Sequence, residues 1–157
     1  MLSIHTILHP TDFSAQSEHA FQLACDLAAD YDANLVIVHV VAAPIMFGDG
    51  AILPPTYDCR DELQDKLLGL EVPDDRVGVV RRLEEGNPAT EILQVAHVCQ
   101  ADLIVMGTHG RRGLTRLLMG SVAEEIVRQA TCPVLTVSTP MPNQESRVRR
   151  HESVISS

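Results

Sequence analysis

Apolar positions along this chain alternate between short dense runs and longer stretches in which they recur every three or four residues. The first dense run, Ile4 to His9, is closed by Pro10, and the second, Leu35 to Val41, reads LVIVHVV. Runs rich in β-branched residues, with no polar alternation, predict strands buried on both faces. Between them Ala20, Leu23, Ala24, Leu27, Ala28 and Tyr31 fall at helical spacing and form one apolar stripe. The opening of the chain therefore predicts a strand, a helix and a second strand packed as one βαβ unit.

The alternation continues. Ala42 to Thr56, AAPIMFGDGAILPPT, carries three prolines and two glycines and reads as a long loop, able to move or to cover something. Tyr57 to Leu70 predicts a charged second helix, and Val77 to Leu83 a third strand. In EGNPATEILQVAHVC, Asn87 is placed to cap a helix, Pro88 suits its first position, and Ala89, Ile92, Leu93 and Ala96 supply its buried side. Leu103 to Met106 follows as a strand, Ser121 to Gln129 as a helix with Ala123, Ile126, Val127 and Ala130 inward, and Val134 to Val137 as a last strand. Residues 1–138 thus read as one domain, and residues 139–157, polar and without periodicity, as a disordered tail. Strands and helices in strict alternation, joined by right-handed crossovers, predict a parallel sheet covered on both faces. In such a fold a ligand sits beyond the carboxyl ends of the strands, where the winding reverses.

Composition removes several classes of function. A chain of 157 residues that is 45% hydrophobic suits one domain with a core of its own. No apolar run approaches the ~20 residues that span a bilayer, and the start, MLSIHTILHPTDF, has neither a basic segment nor a cleavage site. The expectation is a cytoplasmic protein without a membrane partner. A formal charge of −9 with 3% aromatic residues argues against nucleic-acid binding, which needs a basic surface and stacking rings. Cys25, Cys59, Cys99 and Cys132 make no C-x-x-C pair and have no histidine at metal-ligand spacing, so packing is their expected role.

Candidate chemistry concentrates in one segment, DLIVMGTHGRRGLTRLLMGSVAEEIV, Asp102 to Val127. Gly107 follows the fourth strand directly, and Gly120 with Ser121 opens the fourth helix, which puts the segment on the carboxyl edge of the sheet. Glycine admits a ligand close to the main chain, and the free N–H groups of a helix start attract an anion. Ser121 offers a hydroxyl to cap the helix or to meet a phosphate oxygen. Arg111, Arg112 and Arg116 gather positive charge here on an otherwise acidic chain, which suits a phosphate chain. The local pattern also fits a flexible turn with an ordinary serine cap. It is not a Walker site, because the only lysine is Lys66, far from any G-x-x-x-x-G-K-[ST] arrangement. A dinucleotide fingerprint would follow the first strand, where HPTDFS stands instead.

The spacing Gly107-x2-Gly110-x9-Gly120-Ser121 resembles the ATP-binding signature of the universal stress protein family. ILHPTDFS, LVIVHVV, DLIVMGTHG and GSVAEEIVRQATCPVLTV are similar to that family in order and spacing, from about Ile4 to Val137. The resemblance implies a five-stranded parallel sheet in the order 3-2-1-4-5, Rossmann-like and related to the adenine nucleotide alpha hydrolases. It also implies homodimers, often through the last strand, and bound ATP or AMP. By matching position, Pro10, Thr11 and Asp12 would line the nucleoside side, with the Asp12 carboxylate accepting from ribose or adenine. Val40 would offer main-chain groups to the adenine edge, and Met106 and Gly107 would flank base and sugar. Gly110, Arg111, Gly120, Ser121 and the Val122 amide would hold the phosphates, with Mg2+ carried on the phosphates rather than by dedicated protein ligands.

Plainer readings stand beside these. Asp12 also suits a turn or cap before the first helix, and Val40 and Met106 are ordinary core residues. His9 and His39 read as packing and hydrogen-bonding residues rather than a catalytic pair. His109 fits the glycine loop without any chemistry of its own, and RVRR, Arg147 to Arg150, reads as a solvated part of the tail. Glu124 and Glu125 favour the helix start through its dipole, at a modest cost beside a phosphate. The function expected is a cytoplasmic, dimeric nucleotide-binding regulator of stress responses, with no protein partner specified. A slow ATPase or phosphotransferase, and a structural dimer with an empty crevice, are the alternatives.

Overall fold

The computed structural model describes residues 3–42, 58–108 and 119–138, with the side chains of 58 and 59 excepted. The expected loop after Ala42, the residues Gly110 and Arg111 with the rest of the glycine segment from 109 to 118, and the tail 139–157 lie outside the described residues.

Among the described residues nine elements alternate: β1 Thr6–Pro10, α1 Ala15–Tyr31, β2 Asn34–Ala42, α2 Asp58–Leu68, β3 Val79–Gly86, α3 Pro88–Val98, β4 Leu103–Gly107, α4 Ser121–Gln129 and β5 Val134–Val137. The strands form one sheet in the order β3-β2-β1-β4-β5, and every pairing is parallel. That is the 3-2-1-4-5 order expected. Side chains alternate across the pleat, so each central strand feeds two cores. Ile7, Leu35, Ile37 and Val105 meet Ala20, Phe21, Ala24 and Ala28 of α1 on one face. On the other, Leu8, Val36, Val38, Ile104 and Met106 meet Ala89, Ile92, Val95 and Ala96 of α3 and Ala123 and Ile126 of α4. Completely burying one such Leu or Ile side chain is worth about 1.5–3 kcal/mol, which is why the unbroken apolar runs settle in the middle strands.

The helix faces hold in their alanines and isoleucines and differ from the sequence expectation at single positions. In α1 the buried line is Ser17, Ala20, Phe21, Ala24, Cys25 and Ala28. Leu23 and Leu27 are only partly buried, and Tyr31 is 44% exposed. Three alanines at intervals of four let α1 lie close on the sheet, and the larger leucines are displaced to its shoulders. In α3, Val95 joins the core and Leu93 stays partly buried, while in α4 Val127 is 47% exposed.

β3 begins and ends later than its apolar run suggests because its ladder with β2 extends through Leu83, Glu84, Glu85 and Gly86. An edge strand tolerates such polar residues where a central one would not. The Arg81 guanidinium donates to the carbonyls of Leu67 (3.1 Å) and Leu70 (2.6 Å), closing the carboxyl end of α2. Asn87 caps α3 as expected, accepting from the Thr90 amide at 3.1 Å, with Pro88 in the first turn. No helix among the described residues is long and apolar enough to cross a membrane.

Candidate functional site

Because all five strands are parallel, the ends of β1, β2 and β4 and the start of α4 share one edge of the sheet. Winding reverses beside β1: β2 and β3 extend to one side of it, β4 and β5 to the other. This is the crevice position for a ligand in a doubly wound sheet.

The turn leaving β1 is densely bonded. The Thr11 amide donates to the Val38 carbonyl at 2.8 Å. Thr11 Oγ1 accepts from the Phe13 amide (3.1 Å) and from the Ser17 hydroxyl (2.9 Å). Asp12 Oδ1 accepts from the Ser14 amide at 3.0 Å, and Ser14 itself caps α1 by accepting from the Ser17 amide at 3.2 Å. The cap role open to Asp12 in the sequence therefore belongs to Ser14, while Asp12 shapes the turn. Phe13 has φ 61°, left-handed backbone that aromatic residues rarely adopt.

At the end of β2, pairing with β1 stops at Pro10 opposite Val38. The Val38 carbonyl faces β1, where it meets the Thr11 amide. Main-chain groups two residues apart on a strand face the same way, so Val40 turns its N–H and C=O toward the space beyond the end of β1. Its side chain packs against the α3 and α4 core, and Met106, 6% exposed, is a member of that core. Gly107 has a packing reason of its own: a Cβ there would lie 3.3 Å from the carbonyl carbon and oxygen of Gln16, so the first turn of α1 takes the room.

Gly120, not Ser121, is the N-cap of α4, and among the described residues no side chain caps that helix. The Gly120 amide donates to the Thr108 carbonyl at 2.7 Å, and the Thr108 amide to the Val137 carbonyl at 3.0 Å, so the two ends of the glycine segment are drawn together. Ser121 is the first helical residue, followed by Val122. An uncapped helix start leaves the amides of its first turn without intrahelical acceptors, carrying the positive end of the helix dipole.

The two strand histidines are structural. His9 is fully buried; its Nδ1–H donates to the Val105 carbonyl at 2.9 Å, and its Nε2 is the one buried side-chain polar atom without a partner among the described residues. Burial pushes its pKa down to about 4. His39 donates from Nδ1 to the Thr11 carbonyl at 2.7 Å, and its ring lies 4.7 Å from that of Phe13. The thiols fit the packing expectation: burial pushes Cys25 up to about 11 and raises Cys99 and Cys132, so none of the three is a thiolate at neutral pH. No group of three His, Cys, Asp or Glu among the described residues is arranged to hold a metal ion.

A cavity of about 550 Å³ opens between α1 and the connection from α2 to β3, walled by Phe13, Glu18, Phe21, Leu70 and Pro73. It borders the β1 turn through Thr11, but Val40, Met106 and Gly120 do not line it. The sequence reading did not foresee this cavity, because its walls come from α1 and the connection between α2 and β3.

Comparison with known proteins agrees with this architecture. The family model described as Universal stress protein family matches residues 3–138. A universal stress protein of Methanocaldococcus jannaschii is 38% identical over 139 residues, covering 85% of this chain and 82% of the relative. Among solved structures, a universal stress protein from Lactobacillus plantarum aligns with TM-score 0.66 at 24% identity, covering 85% of this chain and 97% of that one. A universal stress protein in complex with cAMP aligns with TM-score 0.60 at 27% identity, covering 88% and 99%. The chain described here belongs to the universal stress protein family.

Proposed function

We propose that this protein is an adenine-nucleotide-binding regulator that works in the cytoplasm as a homodimer, with ATP or AMP in the crevice beyond β1. The observation that carries the reading is the start of α4 at Gly120 and Ser121, which no side chain among the described residues caps, on the edge where Val40 turns its main chain to the crevice. The first suits phosphate and the second the hydrogen-bonding edge of a purine, with Asp12 in the turn that leaves β1. Gly110 and Arg111 would complete the phosphate side, and Mg2+ would ride on the phosphates. The related structure that holds cAMP supports the adenine choice.

Dimerisation is supported by β5, a short edge strand, and by Val127 and Leu135, which leave 47% and 39% of their surface exposed beside it. Nucleotide regulates such a dimer only if it binds one arrangement better than another. Gly120→Val tests the site. Gly120 has φ −60° and ψ 152°, which valine adopts readily, so the variant should fold and lose ATP in a calorimetric titration. A folded variant that binds ATP as the parent does contradicts the assignment.

A further inference from the structure

We infer that His39 is a positioning residue for the nucleoside half of this site: it locks the turn after β1 to the end of β2 through the Thr11 carbonyl and the Phe13 ring. The inference rests on the adenine-nucleotide reading above and adds a residue that acts through its neighbours.

The left-handed backbone of Phe13 must be held in place by its surroundings, because nothing in a phenylalanine favours it. Most of the bonds that hold it are local. Phe13 and Ser17 both donate to Thr11 Oγ1, and Ser14 donates to Asp12. His39 is different because it reaches in from β2, 28 positions along the chain, and touches the turn at two points. A carbonyl oxygen only accepts, so Nδ1 carries the proton it shares with Thr11 at 2.7 Å. The imidazole then packs at 42° to the Phe13 ring, 4.7 Å away. With 9% of its surface exposed, His39 makes these contacts where water competes little.

The two groups tied together are those expected to meet the nucleoside. Asp12 lies between Thr11 and Phe13, and Val40 follows His39 directly. One buried side chain therefore fixes the spacing between a carboxylate suited to the sugar and a main chain suited to the base. Fixing it before the ligand arrives removes an ordering cost that binding would otherwise carry.

The test is calorimetric titration of ATP and of inorganic tripolyphosphate into the parent protein and into His39→Leu, His39→Asn and Phe13→Gly, with a thermal melt of each. His39→Leu should weaken ATP about tenfold, the usual effect of losing one buried hydrogen bond, and leave tripolyphosphate unchanged. Asparagine can donate from nearly the Nδ1 position and should recover most of the loss. Phe13→Gly removes the ring but accepts a positive φ, so it should fold and weaken ATP selectively as well. If His39→Leu fails to fold, Phe13→Gly decides. Unchanged ATP affinity in the folded variants, or equal weakening of both ligands, would overturn the positioning role alone. A parent protein that binds no ATP would overturn the nucleotide reading and the positioning role together.

Discussion

Burial holds His9 neutral, and the fold depends on its staying so. Its pKa is lowered to about 4 from an ordinary 6.5, the value it regains on unfolding. Between those values the unfolded chain binds a proton that the folded chain refuses. Stability is thus complete above pH 6.5, falls as the pH drops toward 4 and levels off below that, a loss of about 3 kcal/mol. Urea unfolding at pH 7 and pH 4.5 should register the difference. His9→Leu should be less stable at pH 7, because the Val105 carbonyl loses its donor, yet show a flatter dependence across this window. The identities of such residues were legible in the sequence, and their bonds were not. Nothing in LVIVHVV says that His39 meets Thr11, since hydrophobic period assigns a face of the sheet but not an atom. For the same reason the sequence offered Asp12 as a turn or cap residue, while the cap of α1 is Ser14.

Helix starts differ in a way that separates stability from function. α3 is capped by Asn87, and Asn87→Ala should cost about 1 kcal/mol in denaturant unfolding, the usual value of a lost side-chain cap. α4 has only Gly120 at that place. Gly120→Asp should stabilise the folded protein by a few tenths of a kcal/mol, because aspartate caps slightly better than glycine. The same carboxylate would repel a phosphate chain, so ATP binding should disappear from a protein that melts no earlier than the parent. Binding that survives this substitution would place the phosphates elsewhere. Strand and helix order, and the Asn87 cap, were plain from period and capping chemistry. The alanines of the α1 stripe and Ala123 and Ile126 of α4 were placed correctly, while Leu23, Leu27 and Tyr31 of α1 and Val127 of α4 were drawn too far inward because period weighs all apolar residues alike. β3 was read to stop at Leu83 because backbone pairing with β2 carries its polar end, which side-chain patterning does not register.

For the whole molecule, alternation alone predicts a covered parallel sheet, but the 3-2-1-4-5 order entered through family resemblance, since local pattern does not say which strands are neighbours. The crevice follows from that order. β5 closes one edge of the sheet, and Leu135→Glu should move the protein from dimer to monomer in light scattering while leaving its melting temperature nearly unchanged. Elution of the parent as a monomer would remove dimerisation from the proposal and leave the nucleotide site standing.

The central claim is that the crevice takes an adenine nucleotide. It is tested most directly by purifying the full chain without added nucleotide, denaturing it, and identifying whatever is released by chromatography and mass. ATP or AMP in stoichiometric amount is the predicted result. A protein that releases nothing and also fails to bind added ATP would contradict it, and would make the glycine segment a structural connection between β4 and α4.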